Sequence, residues 1–346
     1  HWADRSSLEL ARRAFGVARS SPVLVVAVSR PTDPPIGEIL GFEPDSTDAI
    51  EVPPLTDEAT ADLVHEILQR VESVPVTLTD EIVRAASGHP YFVEELIRML
   101  IDDGAVVVDG DEWRIDPEPI ELRGIPTTVS GVAQARLDLL DPATRAVVQR
   151  AAVVGRVFWD AAIPRSSCGV GPAPADPTSS LSELVARGLV EKAPGSDLRS
   201  ADEYRFAHAL LHDAVYDTLL RDDRRSLHRE VAEWLADRRD SEAFASMVAV
   251  QYLAGDAPAD AAGWFARAAA EARTRRAPDE AIQACEAAIE TGALAPLALL
   301  PVLDDLSESL LIAARYDDAL RSTNEMHQLA VDLGDGHHRS IALLQQ

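Results

Sequence analysis

Residues 21–31 read SPVLVVAVSRP, and the class of the chain turns on them. An unbroken run of Val, Leu and Ala closed by Ser-Arg-Pro predicts a strand buried on both faces, as in a parallel sheet. Just before it, SSLELARRAF (residues 6–15) has a Ser-Ser start signal and reads as a helix. A helix feeding a buried strand is half of a βαβ unit, so a further strand is expected ahead of HWAD (residues 1–4). Asp4 is expected to cap the helix that begins near Ser6.

Bulk properties narrow the rest. The 346 residues suggest two or three domains, and 47% hydrophobic with 26% charged suits a core-forming chain. No apolar run approaches a membrane span, and nothing resembles a signal peptide. A formal charge of −26 argues against a nucleic-acid or anionic-membrane surface, since both need a basic field. Cys168 and Cys285 are far apart and suggest neither a metal nor a disulfide framework, so a cytoplasmic location is expected. Lys192 is the only lysine. It lies in LVEKAPG, with no Gly before it and no Ser or Thr after it. A P-loop needs Gly-Lys-Ser/Thr, so these residues hold no Walker A motif.

Further along, IEVPPLTDEATADLVHEILQRV (residues 50–71) places Thr56 as an N-cap with acids in the first helical turn. LTDEIVRAASGHPYFVEELIRMLIDDG (residues 78–104) predicts two helices broken at Gly88-His89-Pro90. AVVVDGDEWRI (residues 105–115) reads as a hairpin around Asp109-Gly110. Two helices follow, separated by Asp141-Pro142 as N-cap and first helical residue, and then a Gly/Pro-rich loop over residues 166–180. Residues 181–220 read as helix, strand, polar turn, strand and helix, so the pattern is helices followed by a two-stranded wing. From about residue 222 the chain is Ala-rich and helical throughout. Turns are expected at Gly255-Asp256, Ala277-Pro278 and Tyr316-Asp317, the spacing of degenerate tetratricopeptide-like hairpins.

That order of parts resembles the STAND class of signal-transducing P-loop ATPases, an AAA-like group, entered partway through the nucleotide-binding domain and without its Walker A and B motifs. The resemblance implies a mainly α chain in four parts. These are the remnant of an α/β P-loop domain (1–45), a helical lid (46–104), a hairpin with a winged helix (105–221), and a tetratricopeptide-like α-solenoid (222–346). It implies ATP or ADP with Mg²⁺ as the cofactor, with the main phosphate and metal site outside these residues. It also carries over site residues. VLVVAVSRP looks like the sensor strand whose terminal Arg, here Arg30, reaches the phosphates. SGHPYFVEEL is similar to the lid motif in which Gly88 permits close approach and Pro90 packs against adenine. In YRFAHALLHDAVY, His208 falls where the family places a His on the β-phosphate of ADP.

Each site residue also has a plainer reading. Arg30 can simply end a strand, Gly88-His89-Pro90 can simply turn between helices, and His208 can be a packed structural residue. The His208/His212 pair at i, i+4 lacks a third ligand at supporting spacing for a metal site. Trp113, Trp159, Trp234 and Trp264 read as core or hairpin anchors.

By resemblance the function is a nucleotide-gated regulatory switch and protein-interaction module of a multidomain bacterial signalling protein. VEELIRMLIDDG, VAQARLDLL, RAAVVGRVFWDAA and LHREVAEWLA look closer to the group linked to class III adenylate/guanylate cyclases. A LuxR-type transcriptional activator is the alternative, and a non-hydrolysing scaffold the second. Expected partners are a nucleotide and proteins that bind the helical repeats, with no direct nucleic acid and no membrane. Residues 1–346 alone are expected to be catalytically inactive.

Overall fold

The computed structural model describes residues 5–18, 24, 26–29, 35–42, 50–109, 112–116, 124–165, 170–171, 176–196, 198, 201–238 and 241–345. Among them are sixteen α-helices and five short strands. The chain is mainly helical. No described helix is long and apolar enough to cross a membrane. The chain divides into two compact units: residues 53–241 with 250–257, and residues 1–52 with 242–249 and 258–346.

The first of these begins with α3 (Asp57–Ile67), α4 (Val76–Ala86) and α5 (Pro90–Asp102). Thr56 caps α3, its hydroxyl accepting from the Ala59 amide at 3.2 Å. Val64, Leu68, Ile82, Val93, Leu96 and Leu100 meet in one core, closed by the hairpin β1 (Val106–Asp109) and β2 (Glu112–Ile115). The hairpin runs antiparallel from Val106↔Ile115 to Asp109↔Glu112. The backbone amide of Trp113 donates to the Arg70 carbonyl at 3.3 Å, which ties the hairpin to the end of the α3 segment.

Next come α6 (Val129–Asp138) and α7 (Pro142–Val154). Asp141 caps α7 by accepting from the Ala143 and Thr144 amides, and Pro142 takes the first helical position. Then follow β3 (Val157–Trp159), α8 (Thr178–Ala186), β4 (Val190–Lys192), β5 (Glu203–Phe206), α9 (Ala209–Asp217) and α10 (Arg221–Ala236). The strands form an antiparallel sheet in the order β3-β5-β4, with Phe158 opposite Tyr204 and Val190 opposite Phe206. The expected wing has two strands; the sheet has a third, β3, which supplies the fully buried Phe158. A joint joins three helix ends here. His228 on α10 lies 2.8 Å from the Tyr216 hydroxyl and 2.6 Å from Gln251 Oε1. The Gln251 amide in turn donates to the Val153 and Val154 carbonyls, which end α7.

In the other unit, α12 (Pro258–Thr274), α13 (Pro278–Glu290), α14 (Pro296–Ile312), α15 (Tyr316–Leu333) and α16 (Gly336–Gln345) pack each on the next. Its interior is small and apolar: Ala261, Ala269, Ala281, Ala288, Leu300, Leu303 and Met326 are buried. Small side chains let helix axes approach closely, so much of this stability comes from area rather than directional bonds. The free thiol of Cys285 is buried among them, and burial pushes it up to about 12. The expected turn at Tyr316-Asp317 falls two residues earlier, at Ala314, where φ is +58°, and Tyr316 opens α15.

The same unit contains α1 (Arg5–Ala18) and the short α2 (Ile36–Ile39). It also corrects the opening expectation of a buried strand. Leu24 and Val26–Ser29 belong to no strand, and Leu24, Val26 and Val28 are 88%, 77% and 94% exposed. A parallel strand is held only by strands beside it. None of the five described strands includes a residue of this run; they form the hairpin and the three-stranded sheet. An α/β sheet built on this run is therefore absent from the described residues. Asp4, Arg30 and Cys168 lie outside them.

Candidate functional site

The break between α4 and α5 is forced by backbone geometry. Ser87 ends α4 in the left-handed region (φ +48°), and Gly88 continues there at φ +76°. The Gly88 carbonyl accepts from the Leu55 amide at 2.8 Å. A Cβ on Gly88 would stand 2.3 Å from the Leu55 carbonyl oxygen, so no other residue fits this close approach. The close contact expected of Gly88 is thus made with the protein's own Pro54-Leu55 segment. Pro90 then opens α5 at the first helical position, where its missing amide costs nothing, and it is exposed.

Tyr91, the next residue, brings the distant motif in. Its ring centroid lies 4.1 Å from that of His208, tilted by 51°. His208 is the N-cap of α9, half-buried and extended (φ −142°), and its side chain makes no cap bond. The Tyr91 hydroxyl is buried without a hydrogen-bond partner among the described residues. Burial first, and then the nearby Glu95 carboxylate, drive its pKa upward, so it stays neutral.

Beside this ring pair is an open cleft of about 570 Å³. One wall is α5, through Glu94 and Arg98. The other is the α8–β4 turn with the β5–α9 junction, through Gly188, Glu191, Lys192 and His208. Two of its charges are already matched at the surface: Glu191 with Arg205 and Lys192 with Asp202, each at 2.6 Å. The hydrogen bond to Asp202 raises the Lys192 pKa and holds the ammonium charged. Arg98 has only a long contact of 3.9 Å with Glu95 among the described residues. A guanidinium and an imidazole facing one space can receive an anionic or hydrogen-bonding group.

Of the four site residues inferred from sequence, the structure brings Gly88, Pro90 and His208 into one neighbourhood through Tyr91; Arg30 is outside the described residues. His212 is committed elsewhere: its ring contacts Asp213 at 2.8 Å and the Ala152 carbonyl at 3.0 Å. The tryptophans act as anchors in part. Trp159 is buried and donates to Glu203 at 3.2 Å, Trp113 packs on the first core, and Trp234 and Trp264 carry Arg238 and Arg267 on their faces. Sequence reasoning missed Arg98 and Lys192 as members of the cleft and Tyr91 as the ring against His208. The available signals were the place of Tyr91 directly after the Gly-His-Pro break and of Arg98 two helical turns on along α5.

A family model described as a domain of unknown function (DUF8739) matches residues 56–114, from α3 through the hairpin, which takes in Gly88, Pro90, Tyr91 and Arg98. No curated protein and no solved structure matches the chain.

Proposed function

We propose that this chain is the regulatory ATP/ADP-binding switch and protein-interaction module of a multidomain bacterial signalling protein, with the ATPase region of a class III nucleotide cyclase as the first choice of setting. The observation that carries the reading is the Tyr91–His208 contact at 4.1 Å. The lid motif and the His motif are far apart in sequence, yet Tyr91, next to the first, touches His208 of the second. His208 lines the adjoining cleft, an arrangement that suits two parts flanking one nucleotide. Two further features support it. The order α7, β3, α8, β4, β5 with sheet order β3-β5-β4 suits a winged helix. The short-turn helices from Pro258 to Gln345 suit tetratricopeptide-like repeats that receive protein partners. The switch works by population shift: a nucleotide that contacts lid and winged helix together favours the state in which they are closed.

The test is calorimetry with Mg-ADP on the polypeptide extended ahead of His1 through the expected Gly-Lys-Ser/Thr segment. Binding is expected, and His208→Ala and Arg30→Ala are each expected to weaken it several-fold. Unchanged affinity in either variant removes that residue from the site. Residues 1–346 alone are expected to hydrolyse no ATP above background, and turnover that survives purification from contaminating ATPases would overturn this.

A second reading, an interaction scaffold without nucleotide, is favoured by one specific observation. The close approach at Gly88 is occupied by Leu55, while Leu24, Val26 and Val28 are exposed rather than packed in a sheet. Failure of the extended polypeptide to bind ADP selects it.

A further inference from the structure

Arg136 on α6 has no exposed side-chain surface, a rare place for a group that keeps its charge at any working pH. Each of its three nitrogens has a partner. Nη1 donates to Glu95 Oε2 at 2.6 Å, Nε donates to Asp102 Oδ2 at 2.9 Å, and Nη2 donates to the Arg187 carbonyl at 2.5 Å. Glu95 is itself only 3% exposed. Glu95 and Asp102 are two turns apart on one face of α5. Arg187 ends α8, next to the Gly188 of the opposite cleft wall. One buried side chain therefore grips the lid helix at two points and the far wall at a third.

An apolar contact in this place would tolerate sliding. A planar fork with three acceptors in fixed directions does not. Moving α5 away from α6 would also strand a buried carboxylate and a buried guanidinium, and breaking such a pair is far more costly than the pair is stabilising. Moving the α8 turn away would leave the guanidinium without its third acceptor. The ring contact of Tyr91 with His208 at the cleft mouth has no such penalty. We infer that Arg136 is a latch that holds α5 and the α8–β4 turn in one register along Glu95–Asp102, so that the walls part more readily at the Tyr91–His208 contact than at the latch. Separation of the two walls then requires either the Arg187 bond or both carboxylate bonds to break. The inference concerns the described residues alone and does not depend on what the cleft binds.

The experiment is hydrogen exchange by mass spectrometry on the full chain, without nucleotide, for two variants. Arg136→Lys keeps the charge but supplies a single ammonium in place of the fork. The triple variant Arg136→Met, Glu95→Leu, Asp102→Leu removes every charge and keeps apolar volume, which often leaves overall stability near its starting value. In both, amides of residues 91–102 and 188–190 are expected to exchange at least about ten-fold faster than in the natural chain, with the rest of residues 53–241 unchanged. The two variants bracket a folding failure in either one. Natural-level protection of both stretches in a folded variant overturns the latch, as does a uniform rise in exchange across the whole of 53–241, which marks simple loss of stability.

Discussion

Residues 53–241 and the helical array of residues 258–345 solve the same problem by different means. The first region buries directional polar groups: Arg136 with Glu95 and Asp102, and the Tyr216–His228–Gln251 joint. The array buries chiefly Ala, Leu and Met with a few neutral hydroxyls such as the Ser307–Ser322 pair at 3.0 Å, and keeps charged pairs such as Arg273 with Asp305 and Glu308 nearer the rim. Nearest-neighbour stacking gives the array local, additive stability. Polar joints give the first region one register at a desolvation cost. A region that must hold a precise mutual arrangement of distant segments needs the second kind of fastening.

The sharpest way to break this comparison is to truncate one buried leucine in each region. Leu96→Ala and Leu300→Ala each remove a fully buried side chain, and each is expected to cost ~2–5 kcal/mol. In the first case protection is expected to fall across residues 57–115 together. In the second it should fall within residues 296–345 alone, and equal spreading in hydrogen exchange would abolish the contrast. Next in size is Gly88→Ala. The left-handed φ costs ~1–2 kcal/mol before the clash with the Leu55 carbonyl is added. A thermal midpoint within a degree of the natural chain would contradict the geometry at that turn.

The Asp141 cap comes third. Its carboxylate is held below the ordinary range, chiefly by bonds from the Thr144 side chain and amide, and Asp141→Ala is expected to cost ~1 kcal/mol. Because the folded-state value is depressed, this contribution is present above the ordinary Asp value and lost as the pH falls through the folded one.

His228 gives a separate acid-side signal. Gln251 presents Oε1 to Nδ1, because its amide already donates to the Val153 and Val154 carbonyls. So Nδ1 carries the proton and Nε2 accepts from the Tyr216 hydroxyl. Burial lowers the His228 pKa, outweighing the hydrogen bond to Gln251. The unfolded chain then takes up its proton first. This stabilisation is whole above the ordinary His value of about 6.5 and shrinks as pH falls from there toward the folded value. His228→Asn, which keeps a donor toward Gln251, is expected to flatten that part of a stability–pH curve. The smallest effect should belong to Arg273→Met in the array, at ~0–1 kcal/mol in chemical denaturation, since a third of that side chain is exposed.

Much of the helical framework is legible in the sequence because its signals are local. The Thr56 cap, the Gly88-His89-Pro90 break, the hairpin and Asp141-Pro142 each act within a few residues of themselves. What is not legible depends on distant partners. The valine run at 21–31 has a strand's composition, but composition does not supply neighbouring strands. Val157–Trp159 is only three residues long, too short for an alternating pattern, and it becomes a strand because β5 lies beside it. Arg136 sits in ARLDLL like any surface arginine of an amphipathic helix; its burial is decided by Glu95, Asp102 and the end of α8. The cleft is legible only in part: His208 carries a motif signal, whereas Arg98 and Lys192, and Tyr91 beside His208, are recruited by packing.

One property of the cleft wall has a practical outcome. Since Lys192 is the sole lysine of residues 1–346, an amine-selective reagent has a single side-chain target within them. Its pairing with Asp202 slows acylation by keeping the nitrogen protonated. Labelling rate at that one position therefore reports directly on whether the adjoining space is filled, without any engineered probe.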